Sequence, residues 1–133
     1  MTTGSCLCGA VRLRIDAPLA AIQLCHCGQC RKAQGSAFAA NMPVAEADLA
    51  ILSGADRLKA FESSPGKERV FCADCGSPIF SRLKSKPGVV RIRAGVLDAP
   101  VPARPAFHFH TASQADWWEI TDDLPRYPGA KPD

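Results

Sequence analysis

Three thiols within six residues are the most chemically informative feature of this 133-residue chain. Cys25, Cys27 and Cys30 form a Cys-x-Cys-x-x-Cys loop whose sulfurs can converge on one ion. Zinc in proteins favours four ligands, and catalytic zinc sites keep one of the four positions for water or substrate. A metal-bound thiol loses its proton, so a substrate thiol in the fourth position would be a nucleophile at neutral pH. The triplet therefore predicts a reactive metal centre.

The other four cysteines fall into two pairs with ordinary metal-ligand spacing. Cys6-x-Cys8 lies near the start of the chain and Cys72-x-x-Cys75 near its middle, and a glycine follows each pair directly. Two such pairs together supply the four thiolates of a closed structural zinc site. Structural zinc contributes folding free energy, so this site is expected to decide whether the domain folds. The cysteines therefore predict two metal sites per chain, a closed structural site and a second site at the triplet.

The fourth ligand of the triplet metal is left open by the sequence. His26 lies between two of the cysteines and is expected to point away from the ion. If His108 or His110 reached the metal, the site would be closed and structural. If neither does, the position is open to water or a substrate thiol.

Composition and charge exclude several other classes of protein. The formal net charge is only +3, and the longest run of basic residues is the dipeptide Arg31-Lys32. Both observations argue against a nucleic-acid partner. No apolar stretch resembles a signal peptide or approaches the roughly 20 residues that span a bilayer. A cytoplasmic location, where thiols stay reduced, is therefore expected. The odd number of cysteines also argues against a disulfide framework.

Alternating apolar and polar residues predict a mainly β fold of short antiparallel strands with little helix. The clearest alternation runs through Val11, Leu13 and Ile15, then through residues 90–94, and then through Phe107 and Phe109. Further short strands are predicted at 21–25, 37–41, 49–52, 58–61, 69–72 and 79–82. Single helical turns are predicted at 29–34 and 45–49. The length predicts one domain, 1–133, with a core over about 4–127 and a loosely held tail at 128–133.

Five segments resemble the glutathione-dependent formaldehyde-activating enzyme / centromere protein V family. The three cysteine motifs read GSCLCGAV at 4–11, CHCGQCRK at 25–32 and FCADCGSP at 71–78. The segments RAGVLD at 93–98 and WWEITDDLP at 117–125 are similar to later parts of the same family. The resemblance covers nearly the whole chain, from about residue 4 to residue 127.

The resemblance implies a β-tent fold, similar to a zinc ribbon, with two zinc ions. It assigns structural zinc to Cys6, Cys8, Cys72 and Cys75, and catalytic zinc to Cys25, Cys27 and Cys30. It also implies a carbon–sulfur lyase-type activity, in which glutathione and formaldehyde form S-hydroxymethylglutathione. The expected partners are therefore a glutathione-like thiol and an aldehyde. No membrane partner is expected, because no apolar run is long enough to span a bilayer.

Residues close to the triplet are the candidates for substrate contacts in such a reaction. Arg31 and Lys32 are candidates to pair with ligand carboxylates, although a solvated surface pair is the plainer interpretation. Gln29, Ser36 and His26 are candidates to donate a hydrogen bond or a proton to the nascent alkoxide.

Two other functions fit the same cysteines. One is a non-catalytic zinc-binding module for a protein or nucleic-acid partner, and the other is a thiol sensor whose triplet loses zinc on oxidation. The substrate, and whether the chain forms a homodimer, are left open by the sequence. A fourth protein ligand at the triplet would favour the module, and an open position would favour the enzyme.

Overall fold

The computed structural model describes residues 1–133 and confirms a mainly β protein, with 41% of its residues in strands. The ten strands are β1 (Thr2–Ser5), β2 (Arg12–Ile15), β3 (Ile22–Cys25), β4 (Ala39–Ala45), β5 (Leu49–Ser53), β6 (Leu58–Ser64), β7 (Lys67–Cys72), β8 (Pro78–Leu83), β9 (Val89–Arg93) and β10 (Pro105–Phe109). A single α-helix, α1 (Gly28–Gln34), follows β3, and short 3-10 turns occupy Glu46–Asp48, Ala55–Arg57, Ala94–Val96 and Thr111–Ser113.

The predicted strands all have counterparts, with differences at their ends. Strand β4 begins two residues later than predicted and extends to Ala45, and β6 and β7 are each longer than predicted. The turn predicted at 45–49 is a 3-10 turn over Glu46–Asp48. Strand β1 was not predicted, because its sequence TTGS lacks the apolar alternation that marks a strand.

The chain divides into two compact units. The first unit consists of Met1–Ala20 and Met42–Pro102. It contains an antiparallel three-stranded sheet with the order β1-β2-β5, and strands β9, β8, β7 and β6 paired in that order. Its fully buried side chains include Leu13, Ile15, Met42, Ile79 and Ile92.

The second unit consists of Ala21–Asn41 and Ala103–Asp133. It contains β3 between β10 and the first residues of β4. The pairing of β10 with β3 is parallel, whereas antiparallel strands were predicted. Parallel neighbours need a long connection, and here the two strands are separated by most of the chain. Residues Cys25, Cys30, Ala39, Phe107 and Phe109 form the buried apolar cluster of this unit.

Helix α1 begins and ends on residues that suit its two termini. The Cys27 sulfur accepts a hydrogen bond from the Cys30 backbone N–H at 3.3 Å, which satisfies one of the free N–H groups of the first turn. Gly35 ends the helix with φ of 61°, a left-handed conformation that glycine adopts readily. The helix start therefore places Cys27 and Cys30 side by side, with Cys30 turned inward.

The tail begins with two hydrogen-bonded residues. Backbone carbonyls of Pro128 and Gly129 accept from the N–H groups of Ala112 and His110, at 3.2 Å and 2.8 Å. The side chains beyond them, from Ala130 to Asp133, are exposed. None of the helices has the length and apolar character that crossing a membrane requires.

Candidate metal centres

Four thiols of the first unit converge as the two cysteine pairs predict. The Cys6 and Cys8 sulfurs are 3.6 Å apart, the Cys8 and Cys72 sulfurs are 3.9 Å apart, and all four sulfurs, with Cys75, lie within 4.8 Å of one another. A tetrahedron with metal–sulfur bonds of about 2.3 Å has edges of about 3.8 Å. The donor set and its spacing therefore fit one tetrahedral metal ion.

Tight turns at both cysteine pairs bring these sulfurs together. The Gly9 N–H donates to the Cys6 carbonyl at 3.2 Å, and the Gly76 N–H donates to the Cys72 carbonyl at 2.7 Å. Both glycines have φ near +80°, a left-handed conformation that glycine adopts readily. The Val11 N–H also donates to the Cys6 sulfur at 3.3 Å, so a backbone amide faces a ligand sulfur.

Ser77 links the two halves of the four-cysteine site. Its hydroxyl lies 3.2 Å from the Cys75 sulfur and accepts a hydrogen bond from the Leu7 N–H at 2.9 Å. Hydrogen bonds from the Ser77 hydroxyl, and then from the Cys8 and Ser77 backbone amides, lower the pKa of Cys75 to about 5. Cys75 is therefore a thiolate at neutral pH, the form that binds metal.

The neighbouring thiol of Cys8 behaves in the opposite way. Although the Ala10 amide lowers the pKa of Cys8, its thiol neighbours and burial together raise this pKa to about 12. Four thiolates at such short distances repel one another, so without a cation one of them keeps its proton. A bound metal ion supplies the positive charge that lets all four ionise.

The sulfurs of Cys25, Cys27 and Cys30 form a second group, in the second unit, and also lie within 4.8 Å of one another. Cys25 and Cys30 are buried, and Cys27 is half-buried. Hydrogen bonds with the Cys27 and Cys30 thiols, together with burial, raise the pKa of Cys25 far above its ordinary value. Three converging sulfur ligands fit a metal ion with one remaining position.

No histidine belongs to this second group of ligand atoms. His108 is buried and hydrogen-bonded elsewhere, with its Nδ1 2.8 Å from Nε2 of His26 and its Nε2 3.0 Å from a carboxylate oxygen of Asp122. His110 lies beyond the end of β10 with φ of 55°, so it leaves the strand and does not share a face with His108. The chain itself therefore contributes three ligands here and not four.

His26 faces away from the three thiols, as its position between Cys25 and Cys27 predicts. Its ring is fully buried against His108 and Phe38, with ring centroids 5.0 Å and 5.4 Å away. Burial lowers the pKa of His26, and the neighbouring His108 ring lowers it further, so the His26 ring is neutral at physiological pH. His26 is thus not placed to donate a proton directly at the cysteine triplet.

The polar residues predicted to contact substrate lie on or just after α1. Gln29 and Lys32 are exposed side chains of the helix, and Ser36 is exposed immediately after it. Arg31 is half-buried, and its Nε donates to the Ser113 carbonyl at 3.2 Å. Lys32 is two residues from Cys30, about 200° around the helix, which points it away from the thiols.

The sequence does not predict two of these contacts, those of Ser77 with Cys75 and of Asp122 with His108. For Ser77 the sequence offers one indication of this contact, its position directly after the Cys75-Gly76 turn. For the Asp122–His108 contact the sequence offers no indication, because nothing distinguishes Asp122 from the other acidic residues of its segment.

Comparisons with known proteins place the cysteine motifs in a family. Residues 1–113 match the family model described as glutathione-dependent formaldehyde-activating enzyme. A protein of Halomonas elongata named "Putative glutathione-dependent formaldehyde-activating enzyme" is 34% identical over 126 residues, covering 88% of this chain and 79% of its own length. A protein of the same name from Aspergillus flavus is 28% identical over 81 residues. That match covers 59% of this chain and 42% of the fungal protein, so this chain spans less than half of its length.

A solved structure supports the fold. The crystal structure of a Rhodobacter sphaeroides protein superposes with a TM-score of 0.62 at 23% sequence identity. The superposition covers 78% of this chain and 99% of that protein. At this identity the likeness concerns the fold alone.

Proposed function

The chain belongs to the glutathione-dependent formaldehyde-activating enzyme family, and we propose that it joins glutathione to formaldehyde at the cysteine triplet. The observation that carries the proposal is the convergence of Cys25, Cys27 and Cys30 without a fourth ligand from the chain. A closed site would favour a structural module, whereas three ligands leave one position for a substrate thiol.

The proposed reaction is a reversible addition of a thiol to an aldehyde. The glutathione sulfur attacks the formaldehyde carbon and a C–S bond forms, while the carbonyl π bond breaks. The proton lost by the thiol is balanced by the proton gained by the new hydroxyl, so the product is S-hydroxymethylglutathione. The reverse direction breaks the C–S bond, which is the activity of a carbon–sulfur lyase.

We propose zinc for both centres, because thiolate ligands in a tetrahedral arrangement suit it and the reaction needs no redox change. Zinc at the triplet would supply the positive charge that keeps a substrate thiol deprotonated at neutral pH. The chain's own part is to hold three sulfurs on the loop before α1. Zinc at Cys6, Cys8, Cys72 and Cys75 would be structural, since four protein ligands close that site.

Arg31 is the residue that we propose to bind a glutathione carboxylate. Its Nε is occupied by the Ser113 carbonyl, which fixes the side chain and leaves the two terminal nitrogens as donors. Gln29 and Ser36 are proposed as donors to the nascent alkoxide, because both are exposed polar groups, one inside the triplet loop and one shortly after α1. We propose that Lys32 attracts an acidic ligand more weakly than Arg31 does, through its charge at longer range.

A cytoplasmic location remains part of the proposal. All seven cysteines are free, and a reducing compartment maintains that state and supplies glutathione as well.

The test is the rate of adduct formation at equilibrium. Magnetisation exchange between formaldehyde hydrate and S-hydroxymethylglutathione measures this rate without a coupled enzyme. The zinc-loaded protein is expected to raise it above the spontaneous rate, and Cys27→Ser protein, still folded through its four-cysteine site, is expected not to. A rate equal to the spontaneous one with fully loaded protein would refute this substrate pair.

A further inference from the structure

The two faces of strand β10 have different surroundings. Phe107 and Phe109 pack in the cluster that contains Cys25 and Cys30. His108, between the two phenylalanines, is directed to the other face, because side chains alternate along a strand. The register of the parallel pair agrees, since Phe109 is opposite Cys25 and His108 is opposite Leu24. The thiols and the histidines therefore lie on opposite faces of the same two strands.

On the histidine face, three side chains form a continuous hydrogen-bond chain. Nε2 of His26 is 2.8 Å from Nδ1 of His108, and Nε2 of His108 is 3.0 Å from Oδ2 and 3.1 Å from Oδ1 of Asp122. His26 is 0% exposed and His108 is 2% exposed, whereas the Asp122 side chain reaches the surface. The chain thus runs from a surface carboxylate to a buried ring between two metal-ligand positions.

The chemistry of the three groups fixes where the ring protons are. An ionised carboxylate only accepts hydrogen bonds, so His108 carries its proton on Nε2. The neutral His26 ring has one proton, which Nε2 can donate to Nδ1 of His108, whereas a proton on Nδ1 of His26 would have no acceptor. Nδ1 of His26 is then unprotonated, which suits its surroundings: it is buried without a hydrogen-bond partner in the protein. A buried N–H without a partner is rarer in folded proteins than a buried lone pair.

We infer that Asp122 and His108 are positioning residues, which act through His26 to hold the Cys25–Cys27 segment in its metal-binding geometry. The backbone of His26 is fixed as well, because its N–H donates to the Phe109 carbonyl at 3.0 Å. The residue between two ligands is thus held by both its main chain and its side chain. This inference rests on the metal-binding part of the proposed function.

The hydrogen-bond chain is expected to give the triplet a higher metal affinity than it would have without the Asp122 carboxylate. Groups hydrogen-bonded directly to a metal ligand typically change metal affinity 10- to 100-fold when they are removed, and Asp122 acts less directly, so an effect of about tenfold or less is expected. Loss of the carboxylate would free both rings to rotate and exchange tautomers, and the loop would then present its sulfurs in several orientations. The four-cysteine site contains none of these residues and should not respond.

The experiment compares metal affinities of the two sites by competition with a chromogenic chelator. Asp122→Ala is expected to lower the zinc affinity of the triplet by about threefold to tenfold, less than the loss of a direct partner of a ligand. Asp122→Asn, which still offers a side-chain amide to His108, is expected to restore most of it. Asp123→Ala removes the neighbouring exposed carboxylate and serves as the matched control, with the affinity of the four-cysteine site as the control for folding.

Nitrogen NMR of the wild-type protein provides a second measurement that needs no variant. At pH 8 it should show His26 protonated at Nε2 and unprotonated at Nδ1, and Asp122→Ala should show a mixture of tautomers. Equal triplet affinities in Asp122→Ala and Asp123→Ala, or a wild-type His26 protonated at Nδ1, would overturn the inference. A wild-type protein with no metal at the triplet would instead refute the proposed function, and the NMR result would still decide the hydrogen-bond chain.

Discussion

Gly54 is the position at which one methyl group should disturb the four-cysteine site most. It has φ of +76° and begins the 3-10 turn over Ala55–Arg57. A Cβ there would lie 2.7 Å from the carbonyl carbon of Ala10 and 2.9 Å from Cα of Val11, with the Ala10 oxygen closer still. These are backbone atoms, so the contact cannot be relieved by rotating a side chain. They also belong to the turn that directs the Val11 N–H to the Cys6 sulfur.

The cost of Gly54→Ala has two parts, and Gly88 separates them. A left-handed conformation costs an alanine about 1–2 kcal/mol, and over-packing against fixed atoms costs about 1–3 kcal/mol more. Gly88 has φ of +82° with nothing within 4 Å of the position of a Cβ. Gly88→Ala should therefore lower the free energy of unfolding by the first part alone, and Gly54→Ala by both.

Urea unfolding of the zinc-loaded variants measures these free energies, and chelator competition measures the metal affinity of each site. Gly54→Ala is expected to be less stable than Gly88→Ala by about 1–3 kcal/mol and to bind zinc more weakly at the four-cysteine site, with the triplet unchanged. Equal stabilities of the two variants would refute the close approach of Gly54 to the metal-binding turn. A stability difference without a change in metal affinity would refute the coupling between that contact and the ligands.

Three further predictions concern the ligands and their neighbours. Ser77→Ala should weaken zinc binding at the four-cysteine site about tenfold and raise the pH at which the site releases zinc, because the pKa of Cys75 rises without the hydroxyl and protons compete better for the sulfur. Ser77→Thr keeps the hydroxyl, so zinc release at the same pH from the wild type, Ser77→Ala and Ser77→Thr would contradict the role of Ser77. Cys27→Ser should lower the zinc content from two ions to one in a folded protein, as measured by metal analysis and circular dichroism, and an unfolded variant would count against the division into structural and reactive sites. Arg31→Ala should raise the KM for glutathione about tenfold while Lys32→Ala changes it less than threefold, and a larger effect of Lys32 would reverse the assignment of the carboxylate-binding residue.

The sequence predicts the cysteine groups well because their chemistry is local. A Cys-x-Cys or Cys-x-x-Cys pair is brought together by a single turn, and the glycines at 9 and 76 indicate where each turn lies. The alternation in β2, β9 and β10 is equally local and predicted those strands. The prediction of one domain stays a prediction, since the chain divides into two compact units.

The features that the sequence does not predict depend on residues that are distant along the chain. The parallel pairing of β10 with β3 joins segments about 80 residues apart, and no local pattern selects a parallel partner. The contact of His108 with His26 spans 82 positions. His108 and His110 look equivalent in an alternating strand, yet β10 ends at Phe109 and only His108 joins the buried hydrogen-bond chain.

The central claim is that the cysteine triplet holds a metal ion whose fourth position takes the substrate thiol. Cobalt substituted for zinc tests it directly, because each additional thiolate ligand adds to the thiolate-to-cobalt absorption. Titrating the cobalt-loaded protein with glutathione is expected to raise this absorption to saturation in the wild type and to leave it unchanged in Cys27→Ser. A wild-type spectrum that does not respond to saturating glutathione would contradict the claim.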